Sequence, residues 1–292
     1  MQSEIHPPLF GYRLARYFRG LRNVPGWGRI TNYLAPPDHD GTFVVDNDGI
    51  KLAGNVRSFL DRQVYLFGHY EGDLIALFLS MIGSDRRRVI LDVGANIGTH
   101  SLAFSKNFQH VHSFEPNPAV CAQFKRNVFI NKATNITLHE FGLGSVSEDM
   151  PFFSIDKANY GLGTFLASDQ YDLPLQQIGT LRVENGDAFV ASAGISQIDA
   201  IKIDVQGLEP EVLAGLSQSI RRYRPIIWFE YGGGTKSFGD VLSLAGKLIP
   251  YPVNILRIYH GRSGFMRTAK CEPVDETNSS ERGDYVLIPY EG

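Results

Sequence analysis

The sequence predicts an α/β fold, a mainly parallel sheet with helices on both faces, and three observations predict it. From Arg88 onward, short apolar runs alternate with helical stretches. The first of these runs stops at a glycine turn that opens a helix, the ligand-binding device of open α/β sheets. A chain of 292 residues, 43% of them hydrophobic, also has enough apolar surface for a sizeable core.

The elements follow in order. Residues 1–40 read as an N-terminal basic and aromatic helical arm, and residues 41–292 as the main domain. In the arm, Arg13, Arg16, Arg19 and Arg22 recur every third position among Phe10, Tyr12, Leu14, Tyr17, Phe18 and Leu21. Only Glu4 opposes them before residue 37. On a helix this spacing places a basic strip beside an aromatic one. Two readings stand: docking to an anionic surface (membrane, sugar phosphate or acidic partner), or a helix lying on the main domain with its arginines solvated. After Pro36-Pro37, segments 42–46 and 49–53 flank Asn47-Asp48-Gly49, a hairpin signal. A helix is expected over 73–82.

Strands are expected at 89–93, 111–115, 136–140, 198–205 and 226–230. Helices are expected to about Lys106 and over 117–131, 209–222 and 238–248. Segments 253–259 and 285–290 complete the sheet, joined by a polar loop. An insertion at 142–197 holds β-like pieces at 150–155 and 180–184, and it reads as part of an acceptor pocket. Its Tyr160-Gly-Leu-Gly-Thr164 stretch is placed to hinge over the site or to form a plain hairpin turn. Asp187 reads as a helix N-cap.

Bulk composition narrows the class further. A net charge of −3 gives no reason to expect nucleic acid as partner. Two cysteines, Cys121 and Cys271, do not make a disulfide framework and fit a reducing compartment. The first residues lack a signal-peptide pattern, and no run approaches the roughly 20 apolar residues of a membrane span. A cytoplasmic location is expected.

The loop Asp92-Val93-Gly94-Ala95-Asn96-Ile97-Gly98 selects the ligand. A dinucleotide prefers G-x-G-x-x-G and sets a pyrophosphate against the turn. Here there are two glycines, and a carboxylate stands beside the turn, where it would repel a pyrophosphate. S-adenosylmethionine (SAM) carries an ammonium and a sulfonium and no phosphate, so Asp92 suits it. Glu115, 21 positions beyond Gly94, ends the second strand where an acid can accept hydrogen bonds from ribose hydroxyls. The plainer roles are a turn-stabilising carboxylate for Asp92 and an acid ahead of a proline turn for Glu115.

With Phe114-Glu-Pro-Asn-Pro118, Ile201-Lys-Ile-Asp-Val-Gln-Gly-Leu-Glu209 and Trp228-Phe-Glu230, this loop resembles the FkbM-type SAM-dependent methyltransferases over roughly residues 65–232. The resemblance implies a Rossmann-like class I methyltransferase fold, seven-stranded with the final strand antiparallel. It also implies O-methylation of a hydroxyl on a sugar, glycan or secondary metabolite. Asp92, Gly94, Asn96, Gly98, Glu115 and Asn117 match the cofactor motifs. One departure is visible: Gln206 stands where the family motif Asp-Val-Glu-Gly has glutamate, and it can hydrogen-bond but not ionise.

The chemistry belongs at the strand ends. A buried parallel strand is usually apolar on both faces, so Lys202 and Asp204 within 198–205 call for an explanation. Asp204 is a candidate for orienting the acceptor, binding the methionine ammonium or holding a divalent cation, and Lys202 for pairing with a carboxylate. No His/Cys cluster at ligand spacing supports a metal site. Asp204, Glu209, Glu230 and His69 are the candidate catalytic residues. Glu209 also suits a helix N-terminus whatever else it does. His100 is a further candidate base, or a solvated helix residue. The expected partner is a small-molecule or carbohydrate acceptor. The alternatives are an NAD-dependent oxidoreductase on the same fold, and a non-catalytic SAM-binding or interaction protein.

Overall fold

The computed structural model describes residues 9–23, 26–37, 39–68, 71–154, 163–165, 175–232, 240–263 and 266–290. Two helices open the chain, α1 (Phe10–Tyr17) and α2 (Trp27–Leu34), followed by the hairpin β1 (Thr42–Asn47) and β2 (Ile50–Asn55). Two more helices precede the main sheet, α3 (Phe59–Phe67) and α4 (Gly72–Ser80). The sequence signalled α4 but not α3. α3 buries Val64, Tyr65 and Leu66 against the hairpin and α1, so tertiary contact defines it.

The alternating region follows as β3 (Val89–Val93), α5 (Thr99–Ser105), β4 (His110–Phe114), α6 (Pro118–Asn131) and β5 (Ile136–His139). The insertion then forms its own four-stranded sheet: β6 (Gly142–Gly144), β7 (Glu148–Ser154), β8 (Gly163–Thr164) and β9 (Gln176–Asn185). The chain continues through α7 (Gly186–Ser192), β10 (Ala200–Ile203), α8 (Glu209–Gly215), α9 (Ser217–Tyr223) and β11 (Ile226–Tyr231). It closes with α10 (Val241–Leu248), β12 (Val253–Ser263), β13 (Met266–Pro273) and β14 (Gly283–Pro289).

The main sheet runs β13-β12-β14-β11-β10-β3-β4-β5. Strands β5, β4, β3, β10 and β11 are parallel, and β14 enters antiparallel between β11 and β12. The fold is therefore Rossmann-like, as expected, with eight strands rather than seven. The extra strand is β13, which lies in the segment read as a polar loop. Polar side chains hid it, because an edge strand needs only its backbone to pair with β12.

Two further expectations change. The single helix over 209–222 is broken at Leu216 into α8 and α9. At Gly215 a Cβ would lie 1.9 Å from Gly144 O, so the helix crosses β6 backbone to backbone there. Asp187 does not cap its own helix, a task Asn185 performs by accepting from Ala188 N at 2.9 Å. Its carboxylate instead accepts from the N–H groups of Gln218 and Ser219, each at 2.8 Å, and so caps α9.

The core lies on both faces of the sheet. One cluster joins Val93, Phe114, Ile201, Ile203, Phe229 and Leu287, and the other packs Trp228 and Phe78 with Ile90 and Val111. No helix among the described residues is long and apolar enough to cross a membrane.

Candidate active site

A cleft opens at the carboxyl ends of β3, β4 and β10, where a parallel sheet presents its turns to a ligand. It contains about 1130 Å³ of space, the part open to solvent included. Gly94, Ala95, Asn96, Thr99, His100 and Glu115 line one half. Lys202, Asp204, Val205 and Gln206 line the other, and Phe152, Gly163 and Phe165 of the insertion cover it.

The glycine turn depends on its residue types. Gly94 has φ of +81°, and a Cβ there would lie 1.9 Å from Asp204 O. β3 and the β10 turn thus touch through bare backbone. Asn96, at φ of +49°, accepts from Ile97 N through Oδ1 at 2.8 Å. Glu115 ties this turn to the next strand: Oε2 accepts from Asn96 N at 3.0 Å and Oε1 from Asn117 N at 2.9 Å. Burial pushes its carboxyl up to about 7, against the pull of those two donors. A carboxylate has about four acceptor positions, so two remain for ligand hydroxyls. Thr99 Oγ1 is buried in the cleft wall without a hydrogen-bond partner among the described residues.

Other residues read as cofactor-facing sit elsewhere. Asp92 is fully buried and does not line the cleft: it lies beneath the turn, where its Oδ2 accepts from Ser101 Oγ on α5. Asn117 is buried as the N-cap of α6, accepting from Ala119 N at 3.1 Å. Gly98, at φ of +87°, packs under the Phe124 ring, 2.9 Å from where a Cβ would stand. Asp92 and Gly98 thus shape the glycine turn from behind, and Asn117 starts the helix after the next strand.

The other half is a chain of side chains. Lys202 Nζ donates to Asp204 Oδ2 at 3.0 Å. The amide of Gln206 donates to Asp204 Oδ1 at 2.9 Å and to Glu230 Oε2 at 3.1 Å. One NH₂ group therefore bridges two carboxylates. Burial works to raise the Asp204 carboxyl, but the Lys202 charge and the hydrogen bonds from Lys202 and Gln206 hold it at about 2. Burial, with the nearby charges of Asp204 and Asp284, pushes Glu230 up to about 8. Asp284, opposite Glu230 on β14, accepts from Trp228 Nε1 at 2.7 Å, and burial and the Glu71 charge lift it to about 7.

Of the remaining candidates, Glu209 turns back on its own loop, accepting from Val205 N and Gly207 N at 3.1 Å each. It is buried, outside the cleft lining, and burial raises it to about 7. His100 is not solvated: it is 6% exposed, with Nε2 3.2 Å from Glu71 Oε2 and its ring edge-on to Trp228. His69 and residues 160–162 of the hinge stretch lie outside the described residues. Gln206, noted in sequence only as a departure, proves to be the hub of the acidic half; Asp284 gave no sequence signal, since its role depends on β14 entering beside β11. Among the described residues no group of three or more His, Cys, Asp or Glu is arranged to hold a metal ion.

A glycine turn, an acid at the end of the next strand and a cleft at the strand ends define a nucleotide-binding protein of the Rossmann-like class. The match of residues 92–250 to the methyltransferase FkbM domain, more than half the chain, shows that this chain belongs to the FkbM methyltransferase family. It is 34% identical over 158 residues to the hexuronic acid methyltransferase AglP of Haloferax volcanii, covering 54% of this chain and 61% of that protein. The chain thus spans about three fifths of that relative's length. Among solved structures it resembles an FkbM methyltransferase from Methylobacillus flagellatus KT, with 19% identity, a TM-score of 0.44, and 70% of this chain and 44% of that one covered. It also resembles the tRNA (uracil-54, C5)-methyltransferase of Pyrococcus abyssi in complex with S-adenosyl-L-homocysteine, with 13% identity, a TM-score of 0.44, and coverage of 84% and 43%.

Proposed function

We propose that the protein binds SAM and methylates a hydroxyl oxygen of a sugar, glycan or similar small metabolite. The observation that carries the reading is the split pair Asp204, which lines the cleft, and Glu230, which stands outside the lining and is joined to Asp204 through the amide of Gln206. Two carboxyls whose surroundings drive their proton affinities apart are suited to different tasks.

The residues present fit SAM. Lys202 is the only lysine or arginine among the described lining residues, and it is already neutralised by Asp204. The surrounding acids therefore favour a cationic ligand over a pyrophosphate, which argues against the NAD reading. Glu115 is placed to accept from ribose hydroxyls, and Thr99 Oγ1 supplies a buried polar atom awaiting a partner. When bound, SAM supplies an electrophilic methyl group. Asp204, ionised at all working pH, holds positive charge or an acceptor hydroxyl at the rim. Glu230, ionised only toward pH 8, takes the hydroxyl proton as general base. The likeness to a hexuronic acid methyltransferase supports a carbohydrate acceptor.

Calorimetric titration with SAM, with NADH as control, tests the cofactor. Micromolar SAM binding without NADH binding is expected. Transfer of label from methyl-labelled SAM to a panel of free and glycosidic sugars then tests the acceptor class. NADH binding alone would overturn the reading, and SAM binding with no transfer across the panel would favour a non-catalytic role.

A further inference from the structure

The N-terminal arm is half anchored and half bare. Its inner side is tied down: Tyr12 and Ala15 are buried, and Arg16 donates to the Tyr65 carbonyl, to Asp46 O at 3.1 Å and to Asn47 Oδ1 at 2.9 Å. Arg19 reaches the same Asn47 Oδ1 at 3.2 Å. Two of the arginines that read as a basic strip are therefore internal clamps. α1 and α2 cross closely, since a Cβ on Gly11 would lie 2.0 Å from Leu34 O. Arg62 of α3 donates to the Ala35 carbonyl and to Asn32 Oδ1, fastening the end of α2.

The outer side is another surface. On α1, Phe10, Arg13 and Tyr17 share one stripe at i, i+3 and i+7 and are all exposed. On α2, Arg29, Ile30 and Tyr33 form a second exposed stripe. Phe10, Tyr17 and Tyr33 are 78%, 80% and 86% exposed, a large apolar area to leave in water. No acidic residue occurs between Ile5 and Pro37, so nothing in this stretch neutralises Arg13 and Arg29.

We propose that this face of α1 and α2 docks on an anionic phospholipid bilayer, seating the protein peripherally with Phe10, Tyr17, Ile30 and Tyr33 at headgroup depth and Arg13 and Arg29 on lipid phosphates. Exposed aromatic side chains beside cations, with no acids, are the composition of an interfacial helix. A second copy fits this face poorly. A twofold contact would set the same patch against itself, facing arginines toward arginines with no acid from this stretch between them. Nucleic acid fits poorly too, since phosphate contacts would leave the aromatic rings wet. α3 links this face to the active site, because Phe59 and Leu60 at its start line the cleft.

Sedimentation of the full chain with phosphatidylcholine vesicles, with and without phosphatidylglycerol, tests the proposal. Binding only to the phosphatidylglycerol vesicles, weakened by added salt, is expected. Arg13→Glu with Arg29→Glu should lower the bound fraction by tenfold or more, on the order expected for reversing two charges near an anionic surface. Phe10→Ser with Tyr17→Ser and Tyr33→Ser should lower it comparably at low salt. All five side chains are exposed, so both variants should keep the wild-type melting curve and SAM affinity. Absence of vesicle binding would overturn the proposal, as would equal binding to neutral vesicles. So would a wild-type dimer in sedimentation velocity that the aromatic changes abolish while vesicle binding persists. SAM titration is read separately, so failure of the docking leaves the methyltransferase reading untouched.

Discussion

The two halves of the cleft solve the burial of charge differently. Around β3 and β4, Glu115 is held by two backbone N–H groups, while Asp92 takes one hydrogen bond from Ser101 and keeps Oδ1 buried without a partner among the described residues. Around β10 and β11, carboxylates are satisfied by one another's neighbours, with Lys202 and Gln206 shared along a line from Asp204 to Glu230. The backbone donors on Glu115 neither titrate nor move without unfolding, so that acid sits in a rigid cradle. Side-chain donors couple the acids, so in the second half the protonation of one group sets that of the next. The groups proposed for binding and for proton transfer thus lie on different strands of the same sheet.

The sharpest test of that division is Glu230→Gln. It is isosteric and keeps an acceptor for Gln206, so methyl transfer should fall about 10²- to 10⁴-fold while SAM affinity is unchanged. Equal loss of SAM binding in calorimetry would erase the distinction between the halves. Gly94→Ala should break the cradle itself. The added Cβ meets the Asp204 carbonyl at a positive φ, and denaturant unfolding should show a loss of about 3 kcal/mol. Ser101→Ala removes the donor to buried Asp92 and should cost about 2 kcal/mol in the same measurement, with SAM affinity following stability rather than chemistry.

The pH behaviour separates the halves without mutation. In the proposed role of base Glu230 acts only when ionised, so the rate should rise about tenfold per pH unit and level off above about 8. Its folded pKa is raised, so its contribution to stability is present below the ordinary carboxylate range and is lost as pH climbs through about 8. Near the cradle the sign reverses. His112 Nδ1 and His139 Nε2 stand 3.1 Å apart on β4 and β5. Burial, with neighbouring histidine charges, lowers both to about 4. Their contribution is present above about 6.5 and is lost as pH falls toward 4. Melting curves should show His112→Gln with His139→Gln flattening the acid limb, and Glu230→Gln the alkaline one.

Much of this was legible in advance where local pattern and function coincide. The strand-turn-helix at Asp92–Gly98 and the acid 21 positions beyond Gly94 carry their meaning in spacing, because strand length and turn chemistry leave few other arrangements. The roles within that motif were less legible. Asp92 and Glu115 look equivalent as acids at strand ends, yet one lies beneath the turn and the other lines the cleft.

The order of strands and helices, the position of the ligand turn and the family could be read from the chain alone, since each rests on patterns among near neighbours. The rest came from packing between distant segments. It paired β14 antiparallel beside β11, bringing Asp284 to Glu230, and it turned Arg16 and Arg19 inward while leaving Arg13 and Arg29 bare. It also made Gln206 a bridge. These outcomes depend on which distant backbone approaches which side chain, and the period of a single helix or strand carries no record of its neighbour.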